Sequence, residues 1–186
     1  MKRIMITATA ILAVATTGLV LSAQGRHQFS ELLNGLKEAP QIVATSGTGT
    51  FKATINTEGT EIAYELTFSN LESDVRQAHI HLGWPQSNGA VVLWLCDSVT
   101  NNSPIATTPA CQTDPLDGRN GTVTGTLTVA DVFPVVNAGT PDWDELVALV
   151  RGGMSYVNVH TAVLGAGEIR SHIGNGADTL GHQGGH

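Results

Sequence analysis

Charge is scarce in this chain. Only 13% of the 186 residues are charged, and Lys and Arg together number 9 against 16 Asp and Glu. So few basic residues argue against a nucleic-acid partner, whose phosphates are neutralised by Lys and Arg, and against docking on anionic lipid. Aromatics make up 5% and cysteines number 2. The sequence also lacks a G-x-S-x-G elbow, an H-E-x-x-H zinc helix and a G-x-x-x-x-G-K-[ST] phosphate loop, so hydrolase, metalloprotease and nucleotide-binding signatures are missing. Gly47-Thr48-Gly49-Thr50 has neither the spacing nor the following helix of a phosphate loop and reads as the entry to a strand. Past Leu21 no apolar run of membrane-spanning length recurs.

The one long apolar run lies at the start. Lys2 and Arg3 precede Ile4–Leu21, and Ser22-Ala23 follows, the pattern of a secretory signal peptide over 1–23. Its threonines and Gly18 make it a poor membrane anchor, so cleavage is expected, with no integral span afterwards, although Leu21 is not ideal at the −3 position. Losing Lys2 and Arg3 leaves 7 basic against 16 acidic residues, a net charge of −9. The expected destination is the periplasm or the extracellular space. Cys96 and Cys111 fit an oxidising compartment: they flank the only long polar stretch and show no C-x-x-C spacing. A disulfide closing that loop would contribute about 3 kcal/mol. The alternatives are two free thiols or a cysteine metal site.

Between a flexible N-terminus at 24–28 and a His- and Gly-rich tail at 175–186, expected to be disordered, the periodicity is mostly two. Phe51, Ala53 and Ile55 alternate with polar residues, as do Ile62, Tyr64, Leu66 and Phe68, and the link at 57–60 reads as a hairpin. Further strands are predicted over 78–82, 90–95, 121–129, 156–161 and 168–173, with Asn88-Gly89 and Asn120-Gly121 as turn signals. One helix is predicted at about 141–151. Thr140 would be its N-cap and Pro141 its first residue, with Trp143, Leu146, Val147 and Val150 as the apolar face and Gly152 after the last turn. The pattern predicts an all-β domain over 29–174: an antiparallel, Greek-key-like β-sandwich or barrel with one short helix.

Three strands set polar, ligand-capable residues opposite an apolar row. In Ala78-His79-Ile80-His81-Leu82, the two histidines share one face by alternation. In the second strand Tyr156, Asn158 and His160 share a face, and in the third Glu168, Arg170 and His172 do. His79, His81 and His160 are therefore the candidate metal ligands, for copper first and zinc second, with Asn158, Glu168 and His172 as orienting groups or alternate ligands. The competing reading is a buried polar network that locks strand register, with the histidines as satisfied donors and with Glu168 and Arg170 as an ion pair or as partners of backbone groups. His182 and His186 of the tail read as bland residues that at most pick up metal weakly. No residue is singled out as catalytic.

In order, Leu33-Asn34-Gly35-Leu36-Lys37-Glu38-Ala39-Pro40, Gly47-Thr48-Gly49-Thr50-Phe51, Ala78-His79-Ile80-His81-Leu82-Gly83, Asn88-Gly89-Ala90-Val91-Val92, Tyr156-Val157-Asn158-Val159-His160-Thr161 and Gly167-Glu168-Ile169-Arg170 resemble the CHRD domain family, first described as repeats in chordin and also found as single secreted bacterial domains. The resemblance covers about 29–174. It implies an all-β, sandwich-like fold and little chemistry; the residues themselves lead to the reading of a secreted binding module rather than a metabolic enzyme, with a metal ion or an extracellular protein as the expected partner. Ala39, where the family often has Val, and Ser171-His172, where Gly-Gln is usual, depart from the pattern and make His172 an extra imidazole. The H-x-H strand followed by a distant histidine is also similar to the copper half of Cu,Zn superoxide dismutases, although their Gly-rich zinc loop has no counterpart here. Three functional readings follow: a metal-holding binding module, a metal-free structural or adhesive module, and a copper-dependent oxidoreductase.

Overall fold

The computed structural model describes residues 27–98, 103–111, 117–135 and 139–174. The expected signal peptide and the tail, with His182 and His186, lie outside the described residues. Eight strands form one antiparallel sheet: β1 (Gln28–Asn34), β2 (Thr48–Ile55), β3 (Ile62–Ser69), β4 (Val75–Leu82), β5 (Val91–Asp97), β6 (Gly121–Leu127), β7 (Ser155–Thr161) and β8 (Ile169–Ile173). Their order is β5-β4-β7-β8-β1-β2-β3-β6. The sheet curls until its two edge strands face each other, so the architecture is a nearly closed barrel. Of the two closures expected for this all-β domain, the barrel-like one is adopted.

Alternation explains which way each strand faces. Phe51, Ala53 and Ile55 of β2 point inward and pair with Leu66, Tyr64 and Ile62 of β3. The intervening turn is closed by Asn56, whose side-chain oxygen accepts from the backbone N–H groups of Thr60 (2.8 Å) and Glu61 (3.2 Å). The seam between β5 and β6 is bridged without a backbone ladder. The Tyr64 hydroxyl crosses it to donate to Leu95 O at 2.5 Å, and Phe133 N donates to Val92 O at 2.8 Å. Cys96 and Cys111 are disulfide-bonded and fully buried, with Cα atoms 4.8 Å apart. They tie a returning segment onto β5, where Asp97 N and O bond Pro109 O and Cys111 N. Among the described residues no helix is long and apolar enough to cross a membrane.

Two local predictions need correction. The mobile stretch expected at 24–28 overlaps β1, where Gln28 pairs with Thr54. That strand escapes the periodicity because its inward row, Phe29, Glu31 and Leu33, carries a carboxylate. The burial is tolerated because Glu31 Oε1 accepts from Gly174 N at 2.9 Å. The helix α1 is Trp143–Arg151, and its N-cap is Asp142 rather than Thr140. Asp142 accepts from Glu145 N while the Glu145 side chain accepts from Asp142 N, a reciprocal capping box. The Thr140 hydroxyl is used elsewhere, accepting from Val135 N. The helix buries Trp143, Leu146, Val147 and Val150, and Trp143 Nε1 donates to Gly59 O in the β2–β3 turn at 2.6 Å.

Candidate metal centre

The strands β5, β4, β7 and β8 are adjacent, and their register lines up the polar residues in rows. His79 lies opposite Trp94 on one side and Asn158 on the other, and Asn158 lies opposite Arg170. In the next row His81 lies opposite Tyr156, and Tyr156 opposite His172. Ala78, Ile80, Val157, Val159 and Ile169 take the other face and belong to the core. Apolar packing on one side of each strand thus fixes where the imidazoles point.

His79, His81 and His160 converge. One nitrogen from each ring lies within 4.8 Å of the others, and no carboxylate or thiol atom joins the group among the described residues. Ring centroids are 5.6 Å apart for His79–His81, 5.0 Å for His79–His160 and 6.0 Å for His81–His160. His79 and His81 are buried, and His160 is half-buried. His81 Nδ1 is 3.0 Å from Gly89 O and His160 Nδ1 is 3.2 Å from Gly165 O. A carbonyl only accepts, so each Nδ1 carries the hydrogen and each Nε2 keeps its lone pair. Both Nε2 atoms, and both nitrogens of His79, are buried without a partner.

The electrostatics keep the rings neutral. Burial first, then the neighbouring imidazoles His160 and His81, depress His79 to about 2. Burial likewise pushes His81 down to about 4, with His160 and Arg170 adding to the effect and the Gly89 hydrogen bond opposing it. His160 is lowered by burial as well. Neutral imidazole is the form that ligates metal.

The positions of the rings are held by aromatic and backbone contacts. Trp94 meets His79 edge-on at 4.2 Å, and Tyr156 stacks on His81 at 4.7 Å with the planes 7° apart. The Tyr156 hydroxyl accepts from Gly89 N at 3.0 Å, so Gly89 is held at both ends, by Tyr156 and by His81. A Cβ at Gly89 would overlap Leu82 O, which makes glycine the residue this contact requires. Of these supports, Tyr156 and the Asn88-Gly89 turn are visible in the sequence. The role of Trp94 and of the Gly89 and Gly165 carbonyls has no sequence signal.

The other candidate residues are bound elsewhere. Glu168 is fully buried and accepts from Thr45 Oγ1 at 2.7 Å, Glu72 N at 2.8 Å and Thr161 Oγ1 at 2.8 Å. Asn158 donates to Glu38 Oε2 at 3.3 Å. Glu38, which the residue pattern does not single out as functional, is pushed up to about 7 by burial, with Arg170 and Asn158 opposing. Arg170 is fully buried, lies 3.4 Å over the Tyr156 ring and donates to Ser87 O at 2.7 Å. His172 Nε2 is 3.4 Å from Arg170 Nη2, so this extra imidazole is beside a guanidinium rather than in the cluster.

The family model for the CHRD domain matches residues 29–173. The chain belongs to the CHRD domain family. No curated protein and no solved structure matches it. The segments carrying the imidazole cluster, Ala78–Gly83 and Tyr156–Thr161, fall inside the matched CHRD span, as do the Glu168 and Arg170 anchors.

Proposed function

We propose that this CHRD domain is a secreted binding module that holds one copper-type ion between His79, His81 and His160. One observation carries the reading: four buried ring nitrogens without partners belong to three neutral imidazoles that meet within 4.8 Å. A buried polar atom left unsatisfied costs about 1–3 kcal/mol. Asn158 Oδ1, Arg170 Nε and Glu38 Oε1 also lack a partner, so what sets the imidazoles apart is that their unpartnered nitrogens converge on one point. His81 and His160 have their Nδ1 hydrogens anchored on Gly89 O and Gly165 O and their Nε2 lone pairs unused, the arrangement that backbone carbonyls impose on metal-ligating histidines, while His79 has neither nitrogen bonded. An ion about 2.0 Å from each nitrogen would draw them to about 3.4 Å apart, so the rings would close inward on loading. The oxidised pair Cys96–Cys111 supports an exported destination.

The test is metal analysis of protein purified without an affinity tag, together with thermal melts. Copper should raise the melting temperature of the wild type and of His182→Ala. His79→Ala and His160→Ala should each abolish the shift. If added metal does nothing for the wild type, the cluster is part of a metal-free structural or adhesive module.

A further inference from the structure

Granted an ion at this cluster, as proposed above, we infer that the site selects monovalent copper, Cu(I), over divalent zinc or copper. The donor set is uncharged: three neutral imidazoles, no carboxylate oxygen, and no thiolate, because the two cysteines are bonded to each other. The net charge of the loaded site is therefore that of the ion. The cost of burying charge grows with its square, so a divalent ion in the same place costs about four times a monovalent one. Among the described residues no carboxylate joins the cluster to offset that difference. Arg170, the charged side chain whose field reaches His81, is a cation, lying over the Tyr156 ring that stacks on His81. Glu168 is consumed by two hydroxyls and an amide, and Glu38 bonds Asn158.

Coordination number leads the same way. Zinc held by three imidazoles ordinarily keeps a water in its fourth position. Here the unpartnered nitrogens are sealed from solvent. Cu(I) needs no fourth ligand. Planar three-coordination places the nitrogens about 3.5 Å apart and linear two-coordination about 4 Å apart, against about 3.3 Å in a tetrahedron. The ligand atoms, spread over as much as 4.8 Å, contract least for the lower coordination numbers.

The experiment uses the untagged chain carrying His182→Ala and His186→Ala, so that the tail does not compete. Cu(I) is titrated without oxygen against bicinchoninate, Zn(II) against a chromophoric zinc chelator, and Cu(II) by its EPR signal against a Cu(II) chelator. Cu(I) should bind one equivalent at least about 100-fold more tightly than either divalent ion. His79→Ala and His160→Ala, checked for native circular dichroism, should lose that equivalent. Zn(II) or Cu(II) binding as tightly as Cu(I), and lost in the same variants, overturns the selectivity and leaves a metal site standing. Binding of no ion, or binding indifferent to both variants, overturns the site itself.

Discussion

Removing the Glu168 carboxylate tests whether this buried acid locks the fold or serves the imidazole cluster. Its three hydrogen bonds come from three places: Thr45 before β2, the backbone of Glu72 before β4, and Thr161 at the end of β7. Glu168→Ala leaves the Glu72 N–H without an acceptor and opens a cavity in a fully buried site. One orphaned donor costs about 1–3 kcal/mol, and the lost packing raises the total to about 3–5 kcal/mol. For a domain near 150 residues that is a fall of about 10–15 °C in melting temperature. Glu168→Gln keeps one oxygen for Thr45 and Glu72 and offers Thr161 a donor instead of an acceptor, so about 1–2 kcal/mol should be lost. Thermal melts and urea titrations of both variants measure this, with and without copper. The copper-induced shift should persist in Glu168→Gln. The reasoning is refuted if Glu168→Ala melts with the wild type, or if Glu168→Gln is stable yet loses the copper shift, since the carboxylate would then act on the ion.

Five further outcomes follow from the same structure. Acid should destabilise the apoprotein: His79 and His81 take up protons when unfolded but not when folded, so stability is full above about pH 6.5 and falls as pH drops toward their folded values of about 2 and about 4, by about 2 kcal/mol each at pH 5. Glu38, raised to about 7, works the other way, its protonated form favouring the fold below its unfolded value and losing that benefit as pH rises through 7, so Glu38→Gln should steepen the acid loss in melts between pH 7 and pH 5. Leu146 is fully buried on α1, and Leu146→Asp should lower stability by about 3–5 kcal/mol in urea titration, whereas an unchanged midpoint would mean that the helix is not docked. Native protein should expose no alkylatable thiol and run about 2 Da below the reduced mass, and reduction should cost about 3 kcal/mol. Tyr156→Phe keeps the ring but frees Gly89 N, and should weaken copper binding about 10-fold with little loss of native circular dichroism.

Alternation and composition alone determined a good deal. A strand buried on one face must place His79 with His81, and Tyr156 with Asn158 and His160, because side chains repeat every two residues. The same rule yielded seven of the strands, and caps and apolar spacing located the helix to within two residues at its start. Two cysteines around one polar loop foretold the disulfide. Periodicity failed where a charge faces inward, as Glu31 does in β1, since the amide that meets its carboxylate, Gly174 N, lies 143 positions away in the sequence. Nor does alternation within a strand say which strands are neighbours. That His160 stands near His79 and His81 follows from β7 pairing with β4, a contact between residues about 80 positions apart. The division of the polar row was likewise decided in three dimensions. The Glu168 carboxylate found two hydroxyls and a backbone amide, and Arg170 Nη2 found a carbonyl with an aromatic ring beneath the guanidinium, while Arg170 Nε, Asn158 Oδ1 and four nitrogens of the three converging imidazoles kept no partner. Local sequence governs which face a side chain takes, but the partners that satisfy a buried polar atom arrive from distant segments, and only the closed barrel brings them together.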